Sequence, residues 1–311
     1  MLTRPKALKP GDVIGLAAPA SAVDKPGKVD AAVKKLEEFG FRVKVGRSCR
    51  EKYGYLSGPD EVRAEDINSM FADKEVDGIM CLRGGYGTPR ILDRLDYDMI
   101  RKNPKVFVGY SDITAIHIAL NQLCGLVTIH GPMPSSDMLE DFDDFSKCSL
   151  FRTIMSSEPL GELKNPPETD INTLVGGKCR GMIVGGNLSL IAATIGTPYE
   201  IDTRGKLLLL EEVDEEPYSI DRMLTQLRLS GKLRDCCGII LGDWRDCGAK
   251  DPERSLTLEE VFENDIKSLG KPAIYNFKAG HCKTKVTVPL GVDAVLDADR
   301  VGLFIEKSAV V

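Results

Sequence analysis

Lys105-Val106-Phe107-Val108-Gly109-Tyr110-Ser111-Asp112-Ile113 is the stretch that decides the fold. Val106 to Val108 is a short, wholly apolar run, which predicts a strand buried on both faces. Asp112 to Leu123 then reads as an apolar helix, with Ser111 and Asp112, residue types favoured at helix starts, at the joint. A buried strand turning abruptly into a helix is half of a crossover unit, and the same alternation extends in both directions. Upstream, Val13 to Ala18 is an apolar run closed by Pro19, and Lys28 to Phe39 carries a helical period (Val29, Ala32, Val33, Leu36) stopped by Gly40. Phe41 to Val45 alternates like a strand, Asp60 to Phe71 reads as a polar-faced helix, and Val76 to Leu82 is a further strand. A helix is predicted over Thr88 to Leu95, with Pro89 in its first turn. Downstream, Leu126 to His130 is one more strand. Strands separated by helices of this length require parallel crossovers, hence an α/β, doubly wound parallel sheet with helices on both faces. Ligands of such sheets bind beyond the carboxyl ends of the strands, which singles out the loops after Ala18, Leu82, Gly109 and His130.

The texture changes after residue 136. From 137 to 177, the acids Asp137, Glu140, Asp141, Asp143 and Asp144, then Pro159, Pro166, Pro167 and Gly176-Gly177, predict a linker with little regular structure and a solvated acidic surface. Residues 178–311 read as a β-rich second domain. Its strands are Lys206 to Leu210, Gly238 to Leu241, Val286 to Leu290 and Val301 to Ile305, and its helices Leu188 to Ile195 and Ser219 to Leu229. The 311 residues carry a formal charge of −6 with acids and bases intermixed, and no basic stripe points to nucleic acid. No apolar run is long enough to cross a membrane, and the first residues lack a secretory pattern, so a cytoplasmic protein is expected. The nine cysteines are scattered without a C-x-x-C pair, which reads as reduced thiols in the core rather than a disulfide or zinc framework.

Ser111, at the sharp strand-to-helix joint, has two readings. It caps the helix, or it is a nucleophile exposed at the sheet edge over the positive end of a helix, where backbone N–H groups can stabilise an oxyanion. A serine nucleophile needs a base, and there are three histidines. His117 sits six residues into the helix that Ser111 opens, rotated away from it; His130 ends a strand; His281 follows Ala279-Gly280 on a loop. A base needs an orienting carboxylate, and the strand Lys206 to Leu210 runs straight into Glu211-Glu212. Arg83-Gly84-Gly85-Tyr86-Gly87 follows a strand and precedes a helix. It matches neither phosphate-loop pattern, and it reads as a tight turn or as a source of backbone donors for an oxyanion.

Six segments in order resemble the LD-carboxypeptidase (murein tetrapeptide carboxypeptidase) family of serine peptidases: Ile14-Gly15-Leu16-Ala17-Ala18-Pro19-Ala20-Ser21; Leu82-Arg83-Gly84-Gly85-Tyr86-Gly87; Val108-Gly109-Tyr110-Ser111-Asp112-Ile113-Thr114; Gly185-Gly186-Asn187-Leu188; Leu210-Glu211-Glu212 running on to Pro217-Tyr218-Ser219-Ile220-Asp221-Arg222-Met223-Leu224; and Gly280-His281 followed by Val288-Pro289-Leu290-Gly291. The resemblance implies a Rossmann-like N-terminal domain (1–136) carrying the nucleophile, and a smaller β-rich C-terminal domain (178–311) carrying the rest of the site. It implies a catalytic triad of Ser111, Glu211 and His281. The oxyanion donors would be the backbone N–H groups of Asp112 and Gly85, and Arg83 and Tyr86 become candidates for substrate binding, Arg83 for a free carboxylate. Glu211 and Glu212 are neighbours on an extended segment and face opposite ways, so only one can serve; the resemblance selects Glu211. The implied substrate is a murein tetrapeptide cut at the L–D bond of its terminal D-alanine, with no metal or organic cofactor, no nucleic acid or membrane partner, and a homodimer as the assembly.

The nearest competing reading keeps the triad and changes the substrate to the peptidyl or aminoacyl adenylates handled by microcin-immunity relatives. Such proteins are expected to present an aromatic platform, and the single tryptophan, Trp244, is expected to pack near the domain junction instead. A cysteine amidotransferase would use Cys81, but that residue falls inside a strand rather than on an elbow. A non-catalytic binding module would have no need of all three triad positions.

Overall fold

The computed structural model describes residues 2–139 and 142–311, so Glu140 and Asp141 of the acidic run lie outside the described residues. The strands are β1 (Val13–Ala17), β2 (Arg42–Val45), β3 (Gly78–Cys81), β4 (Val106–Gly109), β5 (Thr128–His130), β6 (Gly161–Leu163), β7 (Asn172–Val175), β8 (Lys178–Asn187), β9 (Leu207–Val213), β10 (Gly238–Arg245), β11 (Ala273–Tyr275), β12 (Val288–Leu290), β13 (Asp293–Asp297) and β14 (Gly302–Ile305). The α-helices are α1 (Gly27–Glu38), α2 (Asp60–Ala72), α3 (Tyr97–Lys102), α4 (Thr114–Ala119), α5 (Asp144–Met155), α6 (Leu188–Thr194), α7 (Pro217–Leu229), α8 (Lys232–Asp235) and α9 (Leu258–Asp265).

The first sheet has the order β12-β5-β4-β3-β1-β2, parallel except for β12, which pairs antiparallel with β5. Both faces of its central strands are buried. Ile14 and Leu16 of β1 pack with Val29, Ala32 and Leu36 of α1, while Val13 and Ala17 pack on the opposite side with Ile67 and Phe71 of α2. This two-sided burial is why the strands read as unbroken apolar runs. The strand order reverses between β1 and β3, so the loops at the carboxyl ends of β1, β3 and β4 surround the crevice where doubly wound sheets bind ligands.

The second sheet is mixed, with the order β6-β14-β13-β8-β9-β10-β11-β7. Its core β8-β9-β10-β11 is parallel and its flanks are antiparallel. It has eight strands against six, two of them, β6 and β7, contributed by the segment 137–177. Leu208 and Leu210 face α6, α7 and α9, while Leu207 and Leu209 face a core continuous with that of the first sheet.

Four expectations need correction. The segment 137–177 is not an irregular linker, because it contains α5, β6 and β7. Asp143, read as part of a solvated acidic run, is the N-cap of α5 and accepts the Ser146 N–H at 2.9 Å, while Leu150 and Ile154, four residues apart on one helix face, are fully buried. Asp137, from the same run, is almost wholly buried in an ion pair with Lys285. The predicted helix from Asp112 to Leu123 is divided into a 3-10 turn (Ser111–Ile113), α4, and a wider turn (Leu120–Cys124) ended by left-handed Gly125. Thr88–Arg94 is likewise a 3-10 helix, its first residue fastened to Asp112 through both its N–H and its hydroxyl.

Candidate active site

Ser111 sits at the tip of the β4 joint with φ of 63°, a left-handed conformation that is costly for a residue with a Cβ. The strain is held by the fixed strand before it and the turn after it, and it presents the side chain at the carboxyl edge of the sheet. Gly109 is required two residues earlier, because a Cβ there would lie 2.9 Å from the Ile113 side chain. The turn after β3 closes over the serine. A Cβ on Gly84 would stand 3.0 Å from that of Ser111, and Gly85, at φ 115°, lies against Ser21 of the β1 loop. The two turns are tied together, since Asp112 Oδ2 accepts the Thr88 N–H at 2.8 Å and the Thr88 hydroxyl donates to the Asp112 carbonyl. Burial pushes the Asp112 carboxyl up to about 6, against those bonds. Behind the turn, Arg63 of the polar-faced helix α2 is wholly buried and donates to the carbonyls of Pro19 and Gly87.

The other half of the site comes from β9 and the segment after β11. Alternation along β9 decides between the two glutamates. Glu211 continues the Leu207–Leu209 face and meets His281, with Nδ1 and Oε2 2.7 Å apart. Glu212 continues the Leu208–Leu210 face and accepts from Asn187 Nδ2 (2.7 Å), Ser189 N (2.8 Å) and Val213 N (3.0 Å), which makes it a clamp on the start of α6. Burial raises the Glu212 carboxyl above its usual range. Glu211 is completely buried, and its Oε1 has no hydrogen-bond partner among the described residues. Two glycines make its berth. A Cβ on Gly280, at φ 121°, would lie 2.6 Å from Oε2, and one on Gly242 would lie 3.0 Å from the Glu211 Cβ. The Gly185-Gly186-Asn187 segment joins the halves. The Asn187 N–H donates to the Thr114 hydroxyl at 3.0 Å, and a Cβ on Gly186 would strike the Thr114 side chain.

His281 is partly exposed, and its ring meets that of Tyr110 edge-on at 4.9 Å, beside Ser111 in the chain. The other histidines belong to the first unit, His117 on α4 and His130 at the end of β5. His117 bonds the Gly109 carbonyl through Nε2 at 2.9 Å, and burial depresses it to about 4. His130 is fully buried against Tyr110 and held well below its usual range by burial and neighbouring cations. Cys81 is completely buried in β3, and burial pushes its thiol well up, which removes the cysteine-nucleophile reading.

A cleft of about 1000 Å³ opens beside His281, lined among others by Tyr110, Asp137, Asp243, Arg245 and Lys283. Sequence reasoning singled out none of these five for the site: Tyr110 was read only as part of the Ser111 turn, Asp137 fell in a run that reads as surface, and Asp243, Arg245 and Lys283 lie far along the chain from Ser111. Arg245 donates to the His281 carbonyl at 3.3 Å. Arg83 and Tyr86 belong to the turn on the other side of the serine. The Arg83 guanidinium donates to Ala22 O (3.1 Å) and Gly84 O (3.2 Å), and the exposed Tyr86 ring meets that of Tyr55 at 5.8 Å. Trp244 packs on Phe262, ring centres 4.9 Å apart, and its buried indole nitrogen has no partner among the described residues. No group of three or more metal-ligating side chains occurs among the described residues, and no helix among them is long and apolar enough to cross a membrane.

Comparison with known proteins finds relatives along nearly the whole chain. Residues 14–131 match the model of the LD-carboxypeptidase N-terminal domain and 180–296 that of the LD-carboxypeptidase C-terminal domain. A Bacillus subtilis protein named "Probable murein peptide carboxypeptidase" is 47% identical, over 99% of this chain and 94% of its own. The murein tetrapeptide carboxypeptidase of Pseudomonas aeruginosa is 31% identical, over 92% and 94%. Among solved structures, a muramoyltetrapeptide carboxypeptidase from Oxalobacter formigenes superposes with a TM-score of 0.83 at 28% identity, covering 95% of this chain and 98% of that one. The microcin C7 self-immunity fold is shared too: MccF in complex with glutamyl sulfamoyl guanosine gives a TM-score of 0.91 at 23% identity, over 99% of each chain. With both halves of the family matched in order, and relatives aligned nearly end to end, the chain belongs to the LD-carboxypeptidase family of serine peptidases.

Proposed function

We propose that this protein releases the terminal D-alanine of murein tetrapeptides, in the cytoplasm, with Ser111, His281 and Glu211 as its catalytic triad. The observation that carries the reading is the buried 2.7 Å contact between Glu211 Oε2 and His281 Nδ1, with the ring of His281 against the residue that precedes left-handed Ser111. Glu211 occupies Nδ1, so Nε2 is left to act as the base, and the carboxylate stabilises the imidazolium that forms. Ser111 Oγ attacks the carbonyl of the L–D peptide bond as His281 takes its proton. The backbone N–H groups of Asp112 and Gly85 stabilise the tetrahedral oxyanion. The C–N bond then breaks, the imidazolium returns its proton to the departing amine of D-alanine, and an ester to Ser111 remains. Water, deprotonated by His281, attacks the ester and restores the serine. Arg83 takes the free carboxylate of the leaving residue.

The test is D-alanine release from a murein tetrapeptide by the wild type beside Ser111→Ala. Release by the wild type, with a fall of at least about a thousandfold in the variant, is the expected result. Release surviving in Ser111→Ala would remove the nucleophile. A wild type inert on the tetrapeptide but active on an aminoacyl sulfamoyl or phosphoramidate nucleoside would move the substrate to the microcin-immunity class and keep the triad. Arg83→Ala is expected to raise KM with kcat little changed, the signature of lost ground-state binding.

A further inference from the structure

In the wall of the cleft lies a largely buried ion cluster that the triad chemistry does not use. Lys285 is only 3% exposed, and its ammonium is paired with Asp137, whose side chain is 11% exposed. Both hold the Tyr110 hydroxyl, which donates to Asp137 Oδ1 at 3.0 Å and accepts from Lys285 Nζ at 3.1 Å. The ammonium also lies 4.4 Å from the centre of the Tyr110 ring. Asp137 is fixed in turn, because its Oδ2 accepts the Met133 N–H at 2.8 Å. Burying such a pair costs desolvation energy that its own attraction does little more than offset, so stability alone is a weak reason for its presence. Its location supplies a better one. Tyr110 immediately precedes Ser111, and its ring lies against His281 at 4.9 Å. Lys285 lies four residues after His281 in the loop between β11 and β12, and its own N–H donates to Ser146 Oγ on α5 at 2.9 Å. The cluster therefore connects the strand that carries the serine, the turn that follows β5 and the segment that carries the histidine.

We propose that Lys285 and Asp137 are positioning residues: clasping the Tyr110 hydroxyl, they fix the ring that sets His281 relative to Ser111, two groups supplied by different halves of the chain. The inference rests on the triad reading above. A loosened ring leaves both groups present but misaligned, and misalignment on the ångström scale lowers the rate of attack without changing what the cleft binds.

The experiment combines D-alanine release with inactivation by a fluorophosphonate, which Ser111 Oγ attacks at phosphorus with loss of fluoride. Titration of reactive serine by the same reagent normalises every rate to folded protein. Tyr110→Phe keeps the ring and the ion pair and removes one hydroxyl, so its folding is the least at risk. It is expected to lower kcat and the maximal inactivation rate together, by roughly tenfold, with KM unchanged, and Lys285→Met by roughly a hundredfold. Combined, the two changes should cost little more than Lys285→Met alone, since they break one clasp. Wild-type kcat and inactivation rate per titrated site in Tyr110→Phe would overturn the proposal. A change confined to KM would also overturn it and make the ring a substrate contact instead. Failure of the underlying triad looks different: the wild type would not be labelled, or Ser111→Ala would be.

Discussion

Glycines flank the candidate catalytic groups because a Cβ would displace them, and Gly280 is the sharpest case. Its φ of 121° disfavours any L side chain, and a methyl group there would overlap the carboxylate that orients His281. Gly280→Ala should therefore behave as an active-site change although it alters no reacting group. The expected loss in kcat is about 100-fold, similar in kind to that of Glu211→Gln, with a fall in unfolding free energy of roughly 1–3 kcal/mol read from urea titration. Full activity in Gly280→Ala would mean that Glu211 does not need its present berth. Single residues were the most legible level of this molecule. Whereas the choice of His281, inside a loop, came chiefly from the family resemblance, the strand-to-helix turn at Ser111, the Gly84-Gly85 turn and the two faces of Glu211-Glu212 were readable from the sequence, because each sits at the junction of a strongly patterned strand and a loop. Lys285 and Asp137 were not, because a buried charge in a polar run looks like a solvated one until its partner, 148 residues away, is known.

Adjacent carboxylates on β9 turn one strand into two different devices, and the difference is measurable. Glu212 accepts three hydrogen bonds where Asn187 leads into α6, and one of its donors, Ser189 N, belongs to the first turn of that helix. Glu212→Gln replaces one acceptor oxygen by a donor that faces other donors. It should cost about 1–3 kcal/mol of stability while leaving kcat per titrated active site near that of wild type. Glu211→Gln should do the reverse, lowering kcat far more than the melting temperature. Equal effects of the two substitutions on kcat would show that β9 does not separate orientation from support. Elements were read unevenly. The parallel core of the first sheet was legible because its strands are apolar on both faces. The helix α5 was missed because its cap, Asp143, stood among other acids, and the edge strands β6 and β7 were missed because half-exposed strands carry little apolar signal.

At the scale of the whole molecule, the two family domains are contiguous in sequence but interlocked in space. Strand β12, from the C-terminal half, closes the first sheet against β5, matching Val288 to His130 and Leu290 to Thr128. One apolar core runs from Leu16 and Val108 of the first sheet through Val288 to Leu207 and Leu209 of the second. The candidate site draws on both halves, as Ser111 follows β4 and Glu211 lies on β9. An interlocked core predicts cooperative unfolding. The single tryptophan provides the probe, because Trp244 packs on Phe262 in the second unit and reports on that unit alone. In a urea titration, Trp244 fluorescence and fluorophosphonate reactivity, which needs Ser111 from the first unit, should be lost at the same midpoint, and far-UV circular dichroism should follow one transition. A truncated chain of residues 1–136 would lack β12 and expose the β5 edge, so it should show no cooperative melt. If reactivity disappears at a lower urea concentration than the Trp244 signal, the first unit opens by itself. The contact of β12 with β5 would then be a latch rather than part of one core, and the relative placement of Ser111 and His281 would depend on keeping that latch shut.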